Sequence, residues 1–135
     1  MIKQFTIHTS RRNEFIDITA QIQDLVEEVS EGIVTVFVPH TTTGITINEN
    51  ADPAVPRDIL KKLEELIPQQ GNYSHMEGNS DAHIKASLFG SSVRVIIKDG
   101  QLLLGTWQAI FFCEFDGPRT RKFYVHTLSG DSAHI

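Results

Sequence analysis

Three histidines are the residues best suited to chemistry in this sequence. His40 ends an apolar run, His75 lies in a long polar stretch, and His83 lies in the first turn of a predicted helix. A neutral imidazole is a common ligand for divalent metals, and three of them leave a coordination position open for water or substrate. If the three side chains meet, zinc or manganese is favoured over magnesium, which prefers oxygen. The alternative is that each is an ordinary surface or hydrogen-bonded histidine.

Carboxylates form a second set of candidates. Glu49 follows a central strand, and Glu114 shares one face of a later strand with aromatic and aliphatic residues. A carboxylate in such surroundings at a strand end can serve as an acid or a base. The alternative for Glu114 is a rim charge paired with Arg119 or Arg121.

A phosphate group is a third possible target of these side chains. Thr41, Thr42 and Thr43 supply three adjacent hydroxyls, and Arg119 and Arg121 supply cations just after a Gly-Pro turn. Hydroxyls can donate to a phosphate while arginine clamps it with two hydrogen bonds. The alternative is a threonine-rich strand edge beside a solvated basic turn.

Composition limits the classes of protein that are possible. The 135 residues suit one domain, 1–135, and the net charge of −5 argues against binding to nucleic acid. The single cysteine, Cys113, excludes an internal disulfide and any site made of paired cysteines, and we expect it to be buried. No apolar run approaches the roughly 20 residues of a membrane span, and the N-terminus lacks a signal-peptide pattern. A cytoplasmic protein with no membrane partner is expected.

The elements that must position these residues are about seven or eight strands and three helices. Alternation predicts an opening hairpin from Lys3–Thr9 and Glu14–Ile18, and Asp99-Gly100 predicts a second hairpin of type I′. Caps and helical spacing predict three helices, which run from Thr19 to Gly32, from Pro53 to Pro68, and from Asn79, Ser80 or Asp81 to Gly90.

Because the strands and helices do not alternate strictly, the pattern indicates an α+β fold with mainly antiparallel sheets. The segment Gln69–Asn79 has no periodicity and is a loop long enough to be functional. The small polar tail, residues 129–135, is expected to be frayed.

Longer strings in the sequence are more specific than these patterns. They are Pro39–Pro53 (PHTTTGITINENADP), Glu77–Leu88 (EGNSDAHIKASL), Gly105–Gln108 (GTWQ) and Cys113–Arg119 (CEFDGPR). In sequence and order they closely resemble the YjbQ-like, or secondary thiamine-phosphate synthase, family. The resemblance covers nearly the whole chain.

The resemblance implies an orthogonally packed sandwich, a homotrimer and a weak thiamine-phosphate synthase activity that is secondary to an unknown main role. That reaction joins hydroxymethylpyrimidine pyrophosphate to a thiazole phosphate and releases pyrophosphate, so the substrates are phosphorylated small molecules. The alternative is a trimeric module that binds a metal or a phosphorylated metabolite without turnover.

Roles can be assigned to the matching positions on this basis. A divalent metal would be zinc if the histidines hold it, or magnesium if it arrives with pyrophosphate. The expected catalytic residues are Asn48, Glu49 and Glu114; the expected metal ligands are His40, His75 and His83; and the expected substrate-binding residues are Thr41, Thr42, Thr43, Trp107, Gln108, Arg119 and Arg121.

Overall fold

Eight strands and three helices form the fold of this computed structural model, which describes residues 1–130. The strands are β1 (Ile2–His8), β2 (Glu14–Asp17), β3 (Glu31–Phe37), β4 (Thr43–Glu49), β5 (Ser92–Lys98), β6 (Gln101–Leu102), β7 (Gln108–Glu114) and β8 (Thr120–Ser129). The helices are α1 (Thr19–Val26), α2 (Ala54–Leu66) and α3 (Ser80–Phe89). No helix in this range is long and apolar enough to cross a membrane.

The strands form two antiparallel sheets. One has five strands in the order β1-β8-β3-β5-β6, and the other has three in the order β2-β7-β4. The predicted α+β class, with antiparallel sheets and three helices, is confirmed.

The predicted opening hairpin is wrong, because β1 and β2 belong to different sheets. β1 pairs with β8 over seven residues, from Ile2 opposite His126 to His8 opposite Thr120, while β2 pairs with β7. The connection 9–13 contains no glycine for a tight turn, and β8 offers β1 a longer ladder than the four residues of β2 can. The residues between β3 and β4 likewise pass from one sheet to the other.

The second predicted hairpin is confirmed. β5 and β6 pair antiparallel, and both residues between them have positive φ, 52° at Asp99 and 72° at Gly100. These angles match the type I′ turn that the Asp-Gly sequence favours. A Cβ at position 100 would lie 2.6 Å from the Glu27 carbonyl oxygen, so the turn also needs glycine for space.

The side chains of β7 point alternately into two hydrophobic clusters. Ile110 and Phe112 belong to the cluster between the two sheets, which α1 completes with Ile22 and Val26. The alternate residues of β7 belong to a second cluster against α2 and α3, which contains Ala109, Phe111, Cys113 and Phe115 with Ala82 and Ala86 of α3. The three-stranded sheet therefore lies between the five-stranded sheet on one side and α2 and α3 on the other. Cys113 is fully buried as expected, and burial raises the pKa of its thiol.

Two predicted boundaries differ from the structure. α1 ends at Val26 and Gly32 lies in β3, so the first helix is shorter than its pattern suggested. β8 continues to Ser129, and the Gly130 N–H donates to the Glu31 carbonyl at 2.9 Å. Residues 129 and 130 are therefore not frayed, contrary to the expectation, and the rest of the predicted tail, residues 131–135, lies outside the described residues.

The outer face of the five-stranded sheet carries a row of exposed apolar side chains. Ile33 lies opposite Leu128 on one side and Ile96 on the other, and the three are 41%, 63% and 56% exposed. Phe37 extends this apolar surface along β3 at 44% exposure. No helix within residues 1–130 covers this face, because α1 packs between the two sheets and α2 and α3 pack on the three-stranded sheet.

Candidate functional site

The predicted site residues divide into two groups at opposite ends of the three-stranded sheet. In the pairing of β4 with β7, Thr43 lies opposite Glu114 at one end and Glu49 lies opposite Gln108 at the other. Six residues of strand separate these ends by about 20 Å. We call them the histidine end, with His40, Thr41, Thr42, Thr43, His75, His83, Glu114, Arg119 and Arg121, and the tryptophan end, with Asn48, Glu49, Trp107 and Gln108.

Two of the three histidines are in contact. His75 comes from the loop after α2 and His83 from the first turn of α3, and their ring centroids lie 5.4 Å apart with perpendicular planes. The His75 Nε2 atom is also 3.8 Å from a carboxylate oxygen of Glu77. The loop and the helix therefore bring together two imidazoles and one carboxylate.

His40 is held by the main chain of β8. Its Nε2 atom lies 3.0 Å from the Lys122 amide nitrogen and 3.1 Å from the Lys122 carbonyl oxygen. If Nδ1 carries the proton, Nε2 accepts a hydrogen bond from the Lys122 amide. If Nε2 carries the proton, it donates to the Lys122 carbonyl, and Nδ1 remains unprotonated. Burial and the nearby Arg121 cation lower the pKa of His40, so its ring is neutral at neutral pH.

Three cavities meet at His83, and two of them also border the threonines. One of about 390 Å³ is lined by Thr41, Thr42, His75, Glu77, Asn79, His83, Asp116, Arg119 and Arg121. The other, of about 500 Å³, is lined by His40, Thr41, Thr43, His83, Ala86, Ser87, Gly90 and Ser91. His83 and Thr41 line both, so every histidine-end residue except Glu114 borders this space.

The predicted three-histidine metal centre is not assembled among residues 1–130. This range has no group of three or more histidine, cysteine, aspartate or glutamate side chains in position to hold a metal. His75 and His83 are adjacent, but His40 shares only a cavity wall with His83 and is tied to Lys122.

Glu114 lies in the interior at the end of β7, where hydrogen bonds hold its carboxylate. It is fully buried, and its carboxylate accepts from Arg121 Nε at 2.8 Å and Nη2 at 2.6 Å. The Thr9 hydroxyl and the amides of Phe115 and Asp116 also donate to it. The pairing with Arg121 that the sequence left open is present, but in the interior and not at the rim. Arg121 in turn donates to the Thr42 hydroxyl at 2.8 Å.

Arg119 is the more available cation of the two. It is bonded to Asp116 through Nη2 to a carboxylate oxygen at 3.2 Å and through Nε to the carbonyl at 2.8 Å, and its side chain is 54% exposed. Asn79 donates to the same carboxylate at 2.9 Å, and its own side-chain oxygen is buried without a partner among the described residues. Asn79 and Asp116 belong to the cavity wall, and the sequence reasoning did not assign them to the site.

A buried ionic network supports α3 beneath the cavity. Asp81 is fully buried and accepts two hydrogen bonds from Arg12, at 2.8 and 3.0 Å. Lys85, one turn later, contacts both Asp81 at 3.2 Å and Glu64 of α2. Burial opposes ionisation of Asp81, but the bonds from Arg12 and Lys85 outweigh it and lower the pKa of this carboxyl. Sequence reasoning missed this network, although the spacing of Asp81 and Lys85 by four residues on a helix was a visible signal.

The tryptophan end has different contacts. The Gln108 side chain accepts from the Gly105 amide at 2.8 Å and closes the turn before β7, while Asn48 accepts from the amide of Glu49 at 2.7 Å. Trp107 is 62% exposed, so it is not a core residue. The structure therefore does not bring this group to the histidines within one chain.

The fold and the site together define a class of protein: an α+β chain of two antiparallel sheets with a cavity lined by histidines, threonines and arginines. The family model described as UPF0047 protein YjbQ-like matches residues 3–130. The chain belongs to this family.

Similar proteins agree with this assignment. A UPF0047 protein of Methanocaldococcus jannaschii is 58% identical over 130 residues, which cover 95% of this chain and 94% of that one. An uncharacterised YjbQ/UPF0047 structure from Clostridium acetobutylicum is 56% identical, with a TM-score of 0.91 over 93% of this chain and 99% of that one. A YbjQ-like protein of unknown function from Sulfolobus solfataricus is 34% identical, with a TM-score of 0.91 over 96% of each chain.

These relatives correct the functional expectation drawn from the resemblance. They are named only as UPF0047 family members or as proteins of unknown function, and none carries a thiamine-phosphate synthase activity in its name. The assignment of that activity to this chain is therefore withdrawn. The non-enzymatic alternative gains no support from these names either.

Proposed function

We propose that the histidine end binds a divalent metal ion together with a phosphorylated small molecule. The observation that carries this proposal is the contact between His75 and His83 on the wall of a cavity that Arg119 and Thr41 also line. Imidazole pairs of this kind bind divalent metals, while arginine and hydroxyl groups bind phosphate.

Charge balance explains why the two ligands would bind together. The cavity wall carries two carboxylates, Glu77 and Asp116, beside the two arginines. Arg121 is already neutralised by Glu114, and Arg119 is paired with Asp116. A phosphate dianion would therefore meet no surplus of positive charge from the protein alone, and a divalent cation supplies that charge.

His75, His83 and Glu77 are the side chains that would hold the metal after the loop shifts, because they are not in position to do so as they stand. Two nitrogens and one carboxylate oxygen suit zinc better than magnesium, which prefers oxygen ligands. The bound ion would stabilise negative charge on the phosphate. His75 and Glu77 are 45% and 74% exposed on a loop, so they can adjust to a ligand with little loss of packing.

Arg119 and Thr41 would hold the phosphate. Arg119 can exchange its contact with Asp116 for a bidentate contact with the anion, because its side chain is half exposed and Asp116 keeps its bond from Asn79. Thr41 is exposed, whereas Thr42 is occupied by Arg121.

Calorimetry tests the metal and the phosphate in turn. We expect Zn²⁺ to bind the wild-type protein, and inorganic phosphate to bind the zinc-loaded protein more tightly than the metal-free protein. His83→Ala should weaken zinc binding at least about tenfold. His8→Ala is the matched control, since this exposed histidine contacts Thr120 and lines none of the three cavities. Absence of zinc binding would refute the metal site, and phosphate binding that is indifferent to zinc would refute the joint site.

We also propose that copies of this chain assemble through the outer face of the five-stranded sheet into a homotrimer. The support is the uncovered apolar row of Leu128, Ile33 and Ile96, extended by Phe37. Single exposed apolar residues are common, but a contiguous apolar surface on an open sheet face is typical of a protein interface.

A further inference from the structure

The tryptophan end holds a cavity that the proposed metal and phosphate site does not use. Its volume is about 530 Å³, and its wall includes Asp17, Gln23, Asn50, Leu102 and Leu104. It shares no lining residue with the three cavities at the histidine end. A ligand here would be independent of the one proposed above.

The cavity contains a carboxylate that hydrogen bonds fix in place. Asp17 accepts from the Thr19 amide at 2.9 Å through one oxygen and from the Asn50 side chain at 3.0 Å through the other. Burial alone would raise the pKa of Asp17, but the hydrogen bonds from Thr19 and Asn50 outweigh this effect and lower it. Asp17 is therefore ionised at neutral pH, and each of its oxygens can accept a further bond.

The negative charge of Asp17 has no counter-ion in the described part of the chain. Among residues 1–130, no lysine, arginine or histidine lies within ion-pair distance of Asp17. The cavity lining contains no basic residue at all. Asp17 is the one ionisable side chain in this lining.

The opposite wall is apolar. Leu102, Leu104 and Ala20 line the cavity on the side of α1 and β6, and Gln23 is already occupied, because it bonds Gly100 and Leu102 of the main chain. Trp107 lies next to this wall along the chain, its carbonyl accepts from the Asn50 amide at 3.3 Å, and its side chain is largely exposed. The cavity therefore joins one fixed anion to an aliphatic surface.

We propose that this cavity binds a small organic cation: an ammonium group at Asp17 attached to an apolar body that lies on the leucines. An ammonium would bond the free lone pairs of the carboxylate. Anionic ligands would be repelled, which separates the chemistry of this end from that of the histidine end.

Titration with a matched pair of probes tests this site. Phenethylammonium and 2-phenylethanol have nearly the same shape and differ in charge. Calorimetry is expected to show binding of the cation at least about tenfold tighter than binding of the alcohol, the effect of one partly screened charge contact. Trp107 is the only tryptophan in the sequence, so its fluorescence reports binding at this end. Equal binding of the two probes, or no binding of the cation, would overturn the proposal without any variant.

Substitutions then locate the contact. Asp17→Asn should remove the preference for the cation, while Asp24→Asn, an exposed aspartate of the same region outside the cavity, should keep it. His83→Ala should also keep it, because the histidine end is a separate site. A preference retained in Asp17→Asn, or lost in His83→Ala, would show that the cation binds elsewhere.

Discussion

At the scale of single residues, the pair of Glu114 and Arg121 shows how the histidine end is held in shape. The carboxylate takes two bonds from the guanidinium and others from Thr9 and the main chain of the following turn, and the guanidinium fixes the Thr42 hydroxyl. All these groups are buried. A charge removed here leaves its partner in the interior without compensation.

We expect Glu114→Gln to lower the free energy of unfolding by about 3–5 kcal/mol, because Arg121 would remain as an uncompensated buried charge. Urea unfolding followed by circular dichroism measures the loss. Glu65→Gln is the control, since its partner Lys62 is 69% exposed and the pair is worth less than about 1 kcal/mol. A loss of similar size in both variants would contradict the structural role of Glu114.

The ionisation of His40 makes the free energy of unfolding depend on pH, and the sign of this dependence follows from its pKa. Its pKa is lowered in the folded state, so below about pH 6.5 the unfolded chain binds a proton that the folded chain does not. The stability that His40 contributes is therefore present above about pH 6.5 and falls as the pH drops below it. We expect His40→Gln to lose less stability than the wild type between about pH 7.5 and pH 5 in urea unfolding. Identical pH profiles would contradict this account.

The sequence predicts residue types better than partners. Alternation along β7 placed Glu114 on the same face as Ile110 and Phe112, which is a core face in the structure. The same pattern could not show that Arg121, which follows the next turn, would donate to the Glu114 carboxylate. The proximity of His75 and His83 was equally hidden, because it depends on the path of a loop without periodicity.

At the scale of elements, the approach of α3 to β4 positions His83 beside the threonines. The end of α3 lies against Gly44, where an added Cβ would be 2.7 Å from the Phe89 Cβ atom and 3.2 Å from the Gly90 carbonyl. The Ile45 amide donates to that carbonyl at 3.2 Å. Glycine at this position therefore allows the helix and the strand to touch.

Gly44→Ala is expected to cost about 1–3 kcal/mol of unfolding free energy, because the methyl group must displace α3 from β4. Gly130→Ala is the matched control, since its Cβ would meet nothing closer than 3.8 Å and should change stability by less than about 0.5 kcal/mol. Chemical denaturation of both variants measures the difference. If the two substitutions were equally tolerated, the close packing of these elements would be disproved.

Short sequence motifs predicted the elements whose residues are close together in the sequence. Asp99-Gly100 identified its hairpin, and Pro53 with Pro68 bracketed α2. Sheet membership was not predictable in the same way, because alternation shows that a segment is a strand but not which distant strand pairs with it. For this reason β1 and β2 were joined in one hairpin although they pair with β8 and β7.

At the scale of the whole molecule, the order of layers leaves one sheet face open. The three-stranded sheet is covered on both sides, whereas the five-stranded sheet presents its apolar row to solvent. A partner surface on this row would bury side chains that the chain itself leaves exposed. This arrangement supports an interface between copies at this face, and the number of three copies is what the family resemblance implies.

Sedimentation equilibrium of the wild type should give three times the chain mass, and Ile96→Lys should shift it toward the monomer, because a charge would be buried in the apolar row. Leu66→Lys introduces the same charge on α2, at a side chain that is 68% exposed, and should leave the mass unchanged. A wild-type monomer, or a trimer that survives Ile96→Lys, would contradict this assembly.

The burial of Lys85 has a practical consequence for following the fold in solution. Its side chain is 1% exposed and its amine contacts Asp81 and Glu64, whereas the side chain of Lys62 is open to solvent. Amine-acylating reagents read by mass spectrometry should modify Lys62 at once and Lys85 only at the rate at which α2 and α3 separate. The rate at which Lys85 is modified thus measures how often the helical layer beneath the histidine end opens.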